Sequence, residues 1–136
     1  MDFLKSIAIA ASGLRAQAGR MRIISENIAN SDSTAPSPGT EPYRRKIPTF
    51  QSEMDRAIDA QIVTLGRVRT DPSDFRIKHE PGHPAADESG NVKYPNVNSL
   101  VEMMDMREAQ RSYEANINVI GASRRMIQRT LDILKG

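Results

Sequence analysis

The chain has no cysteine and no tryptophan, and only three Phe and three Tyr in 136 residues. Without cysteine there is no disulfide, no thiolate metal ligand and no thiol nucleophile. This absence fixes no compartment, but it fits a protein that enters an oxidising space and does not depend on bridges there. Hydrophobic residues make up 38%, below the roughly 45–50% of globular domains, a reference that also counts Gly. So little core material implies that part of the stability comes from neighbours. No stretch approaches the ~20 apolar residues of a membrane span. The net charge is +2 with both signs mixed along the chain, which argues against the concentrated basic face of a nucleic-acid protein. The apolar run Ile7 to Ala11 invites reading as a secretory leader. It is short, Asp2 precedes it, and the helical pattern continues to Ile28, so a helix is the better reading.

Proline is missing from both ends. All eight Pro, both His and half of the Gly fall within residues 31–98. Because proline interrupts helix interiors, the distribution predicts an N-terminal helix in 1–30, a middle loop and small β domain in 31–98, and a C-terminal helix in 99–136. The expected fold is mainly α with a small β element: two long terminal helices forming a coiled-coil-like pair around a short irregular or β middle domain.

Both ends carry a heptad. Leu4, Ile7, Ala11, Leu14, Ala18, Met21, Ser25 and Ile28 alternate three and four apart, with Ser25 the polar exception. Met103, Met106, Gln110, Tyr113, Ile117, Ile120, Arg124, Ile127, Leu131 and Leu134 repeat the pattern, interrupted by Gln110 and Arg124. Ser99 and Glu102 form an S-x-x-E capping box that should start the second helix. Each helix also has a second stripe: the small residues Ala8, Ser12, Ala16 and Gly19 on the first, and Ala115, Val119, Ala122, Met126 and Ile133 on the last. A seam plus a stripe asks for several neighbours. A helical hairpin packed on its own middle domain is the alternative.

In the middle, Ser31 to Pro42 is a Pro/Ser/Gly-rich loop. Phe50, Met54, Ala57 and Ile58 are spaced for a short helix within Thr49 to Ala60. Ile62 to Val68 is β-branched. Phe75, Ile77 and His79 alternate with Arg76, Lys78 and Glu80 as in a half-exposed strand, and Val92 and Tyr94 follow a Ser89-Gly90-Asn91 turn. Two or three short strands are expected.

The sequence offers little chemistry. His79 and His83, with Glu80 and Asp87, could be imagined as a metal site, but the prolines keep both imidazoles off one helical face and no third ligand has a matching spacing. No catalytic, cofactor-binding or metal-binding residue is assigned, and no cofactor is expected. Tyr43-Arg44-Arg45-Lys46 is a basic cluster that reads as a protein contact or a solvated face more readily than a nucleic-acid contact, since Glu41, Glu53 and Asp55 dilute its field. Arg125, Arg129 and Lys135 suit the negative end of a helix dipole. Arg124 falls on the seam, where it marks either an ion pair between subunits or a place where the seam opens locally. Asn27, Asn30, Asn116 and Asn118 lie close to the seams, where amides can set register.

These segments resemble a known family. Ala11-Ser12-Gly13-Leu14 and Asn27-Ile28-Ala29-Asn30 are similar to the N-terminal motif of the axial proteins of the bacterial flagellum, the rod, hook and hook-associated proteins. Pro42 to Lys46, Asp71-Pro72-Ser73, Pro81 to Asp87, Gly90-Asn91-Val92, Tyr94 to Asn98, Glu102 to Met106 and Ala109 to Asn116 are similar to the proximal rod proteins in particular. These motifs cover nearly the whole chain in order. Many axial proteins continue after Asn-Ile-Ala-Asn with a short Thr-Gly turn, whereas here Ser31-Asp32-Ser33-Thr34 leads into a longer loop.

The resemblance implies a structural subunit, not an enzyme, that stacks helically into a hollow rod, the drive shaft of motility. Its partners would be copies of itself and other rod proteins, together with the flagellar type III export apparatus. Neither nucleic acid, small-molecule substrate nor membrane insertion is implied. The rod would span the periplasm, reached without a cleaved leader. The implied interface residues are Leu4, Ile7, Ala11, Leu14, Ala18, Met21, Asn27, Ile28 and Asn30 on the first helix. On the second they are Met103, Met106, Tyr113, Asn116, Ile117, Ile120, Arg124, Ile127 and Leu131. A coiled-coil export adaptor, dimeric and stably helical alone, is the competing reading. An enzyme built on the His79 to Asp87 turn is the third.

Overall fold

A computed structural model describes residues 2–136. The two long helices are α1 (Phe3–Ala29) and α2 (Ser99–Lys135), and six short strands lie between them. The strands are β1 (Lys46–Ile47), β2 (Phe50–Asp55), β3 (Ala60–Leu65), β4 (Arg69–Thr70), β5 (Arg76–His79) and β6 (Asn91–Tyr94). They form three separate antiparallel pairs: β1 with β4, β2 with β3, and β5 with β6.

Asp2 starts α1, its carboxylate accepting from the Lys5 N–H at 3.1 Å. The cap of α2 differs from expectation. Asn98, not Ser99, provides it, accepting from the N–H groups of Leu100 at 3.1 Å and Val101 at 3.4 Å. Glu102 takes no part in a capping box, because its carboxylate is turned inward onto Arg45 and Asn27.

Residues 49–60 also depart from expectation: they hold strand β2 and a turn, not a short helix. Asp55 accepts from the Ala57 N–H at 2.9 Å, and Asp59 adopts a left-handed φ of 50°. This local side-chain bonding competes with helix, and the β-branched Ile62, Val63 and Thr64 opposite complete a hairpin.

The chain divides into two compact units, each drawing on both helices. The first comprises residues 2–21, Thr49–Arg67 and Arg107–Gly136. Here α1 and α2 run antiparallel, with Gly13 against Asn116 and Arg20 paired to Glu108 at 3.6 Å. The hairpin rests on the small-residue stripe of α1. The Val63 N–H donates to Ser12 Oγ at 3.2 Å while that hydroxyl donates to the Ile9 carbonyl at 2.6 Å. A Cβ on Gly19 would stand 2.9 Å from Leu65 Cδ2, so glycine is what permits this approach.

The second unit comprises Arg22–Pro48 and Val68–Met106. Its small core is Ala85, Val92 and Tyr94, with Ala86 packed on it. In β5 the apolar face is not the inner one. Arg76 and Lys78 lie opposite Tyr94 and Val92, and Lys78 Nζ sits 4.4 Å from the Tyr94 ring centre, whereas Ile77 is 55% exposed. A core this small covers β6 with the aliphatic stems and charges of long cations, a favourable cation–π arrangement.

Candidate functional site: inner and outer faces of the terminal helices

The inner face in the second unit is organised by Asn27, whose side chain is fully buried. Its Nδ2 donates to the Lys46 carbonyl at 2.8 Å and to Glu102 Oε2 at 3.3 Å. Its Oδ1 accepts from the Lys46 N–H at 2.9 Å and from the Tyr43 hydroxyl at 2.7 Å. One amide thus pairs with both backbone groups of Lys46, as a neighbouring strand would, on a strand whose residue Lys46 also pairs with Thr70 of β4. Its hydrogen-bonding capacity is filled.

Glu102 is as buried as Asn27, at 1% exposure. Arg45 compensates it, donating from Nε to Oε1. The same guanidinium reaches Asp71 at 3.5 Å and Asp105 at 3.8 Å. Burial alone would lower the affinity of Arg45 for its proton, but the carboxylates of Glu102 and Asp71 outweigh this and raise it. Asp71 is held below the usual carboxylate range, first by hydrogen bonds from Ser73 and then by Arg45. Burial, with the charges of Glu26 and Glu102, pushes the Tyr43 phenol up.

The basic cluster Tyr43 to Lys46 is therefore an internal joint and not a solvated face. Arg44 donates to the carbonyls of Asp71 and Ser73 at 2.9 and 3.0 Å and stacks 4.2 Å from the Phe75 ring centre. Lys46 pairs with Glu26 at 2.9 Å, which lowers the Glu26 pKa and raises that of Lys46. Sequence reasoning missed this network. The available signal was the heptad row Glu102, Ala109, Asn116 and Ser123, mostly polar or small and hence easily passed over.

The histidines serve a turn. His83 Nδ1 accepts from the Ala85 N–H at 3.0 Å and Nε2 lies 3.5 Å from Thr34 Oγ1, while His79 Nδ1 lies 3.3 Å from Asn91 Oδ1. Among the described residues no group of three His, Asp or Glu could hold a metal ion, and no helix is long and apolar enough to cross a membrane.

The residues expected at subunit interfaces divide by position. On α2 the buried row is Glu102, Ala109 and Ser123, with Asn116 half-buried between them. The row one residue on, Met103, Gln110, Ile117, Arg124 and Leu131, is exposed. Met103, Ile117 and Leu131 are 52%, 46% and 45% accessible. Met106, Tyr113, Ile120 and Ile127 are half-buried beside it. On α1, Leu4 and Ala18 are exposed, whereas Ile7, Ala11, Leu14, Met21 and Ile28 are half-buried. The amides bond within their own chain: Asn30 Nδ2 to the Glu26 carbonyl at 2.8 Å, and Asn116 Nδ2 to the Ser112 carbonyl at 3.0 Å.

Comparison with known proteins finds family matches to both terminal segments. A model of the flagella basal body rod protein family matches residues 7–35. A second, of the flagellar basal body rod FlgEFG protein C-terminal region, matches residues 88–133. The flagellar basal-body rod protein FlgC of Agrobacterium fabrum is 52% identical over 136 residues, covering 99% of this chain and 98% of that protein. Its namesakes in Borreliella burgdorferi and Salmonella typhimurium are 38% and 36% identical, covering at least 98% of both chains in each case. With likeness over the full length and both rod-protein segments matched, the chain belongs to the FlgC family of flagellar basal-body rod proteins.

Proposed function

We propose that this structural subunit of the basal-body rod joins its neighbours through the outward rows of its two helices, while the inner rows hold its own hairpin and middle segment. One observation carries the reading. The more apolar heptad row of α2, with Met103, Ile117 and Leu131, faces outward, and the polar and small row Glu102, Ala109, Asn116 and Ser123 faces inward. Apolar side chains left accessible along a helix mark a surface that another protein covers. Leu4 and Ala18 supply the matching outward positions of α1, flanked by Ile7, Ala11, Leu14, Met21 and Ile28. Arg124 is exposed within the outer row, which supports an ion pair to a neighbour.

The neighbours are copies of this chain and other rod proteins, arranged helically into the hollow shaft that crosses the periplasm and transmits rotation for motility. The chain reaches that site through the flagellar type III export apparatus, and the apolar run Ile7 to Ala11 lies inside α1 with Ala10 buried, as part of the folded subunit.

The test is Ile117→Asp and Leu131→Asp, at exposed positions. The purified variants should melt like the wild type, yet fail to enter rods and abolish swimming. Normal rods containing either variant would overturn the reading.

A further inference from the structure

In a chain without cysteine, methionine carries all the sulfur chemistry. Two methionines stand side by side in the first turns of α2: Met103 and Met104, 52% and 64% exposed. Leu100 and Val101 next to them are exposed as well, so the thioethers lie in an apolar patch open to water. Met106 and Met21 are half-buried by comparison. A thioether reacts with two-electron oxidants without first losing a proton, so access to the sulfur governs the order of reaction.

We propose that the Met103–Met104 pair is a site of reversible oxidation by hypohalous acids, and that its sulfoxide form keeps the free subunit out of the rod. In the reaction the oxygen of hypochlorous acid is transferred to the thioether sulfur. The sulfur loses two electrons, and the chlorine leaves as chloride with release of a proton. A thiol-dependent methionine sulfoxide reductase returns two electrons and removes the oxygen as water. The product replaces a flexible apolar side chain with a polar S=O acceptor. Placed without a partner in an apolar contact, that group opposes association. The consequence for assembly rests on the outer row of α2 being an interface. Once a neighbour covers that row the Met103 sulfur is shielded, so oxidation there acts before assembly.

Met54 and Met126 are 49% and 48% exposed and will oxidise too, so the test separates them. The full chain is treated with limiting sodium hypochlorite, digested and weighed peptide by peptide, and a parallel sample is offered to growing rods. Sulfoxide should appear at Met104 and Met103 ahead of Met21 and Met106. Incorporation should fall at least about tenfold, the scale of one unpaired polar group in an apolar contact, and reductase should restore it. The M103L/M104L variant keeps the apolar patch, and whatever its incorporation when untreated, treatment should not lower it. Equal oxidation of Met21 and Met106 would overturn the site. A loss of incorporation by treated M103L/M104L relative to the untreated variant would place the effect outside this pair and overturn the link to it. Untreated chains that enter rods normally with the outer row of α2 replaced by Asp would sink the interface reading itself, whatever the peptides show.

Discussion

Gly13 of α1 packs directly on the side chain of Asn116 of α2: a Cβ at residue 13 would lie 2.8 Å from Asn116 Nδ2 and 3.1 Å from its Cγ. The absence of a side chain at residue 13 is therefore what lets the two helices approach at this point. Asn116 is anchored to its own helix through the Ser112 carbonyl and yields only by giving up that bond. Gly13→Val should lower stability by about 2 kcal/mol, within the range for overpacking. Adding Asn116→Ala should recover at least half of the loss, since the obstructing atoms are gone. Urea titrations of the two variants measure this coupling. No recovery would mean that the close approach is not the cause.

Asn27 makes the next prediction. Replacing it with Leu leaves the Lys46 N–H and carbonyl without their side-chain partner and removes one of the bonds to the buried Glu102. Unsatisfied buried groups cost about 1–3 kcal/mol each, so Asn27→Leu should destabilise by roughly 3 kcal/mol or more despite its greater hydrophobicity. Tyr43→Phe, which removes one neutral hydrogen bond to the same amide, should cost only about 1 kcal/mol. Chemical denaturation ranks the two. Equal losses would remove the amide from its central place.

The helices, their extents, the loop and the strand positions in β3, β5 and β6 were legible because proline spacing, heptads and β-branched runs report local preference directly. The inward side of each element was not. Hydrophobicity marks a side that is buried somewhere, and neither a heptad nor an alternating strand says whether its own chain buries it. Along α2 the row Met103, Ile117 and Leu131 is the more apolar and is accessible, whereas the row that packs within the chain contains Glu102 and Asn116. In β5, Lys78 and not Ile77 covers the core. Glu102 fitted a capping motif by spacing alone. Only the approach of Arg45, distant in sequence, turned it inward.

That approach makes Arg45 and Glu102 a pair whose parts are worth more than the whole. Arg45→Met leaves a carboxylate 1% exposed without its main cation and should cost about 3–5 kcal/mol. In Arg45→Met with Glu102→Leu no charge of the pair remains, and the loss should be clearly smaller than the sum of the single changes. A double-mutant cycle by urea denaturation gives the coupling directly. Additive losses would show that the two side chains do not compensate one another.

Acid stability follows from Asp71. Ser73 and Arg45 hold its carboxyl below the usual range in the folded chain, whereas in the unfolded chain it titrates near its ordinary value of about 3.9. A lowered folded pKa means that the unfolded state takes up the proton first as pH falls. The stabilisation is therefore fully present above about pH 3.9 and is lost progressively as pH drops toward and through the folded value. Glu26 acts in the same direction through Lys46, but its side chain is 41% exposed, so solvent screens much of that contribution. Asp71→Asn should thus be less stable than the wild type at neutral pH and should lose less on acidification. Melting curves between pH 7 and about pH 2.5, the span over which a lowered carboxylate titrates, should converge at the acid end. Curves that stay parallel throughout would show that Asp71 contributes nothing through its charge.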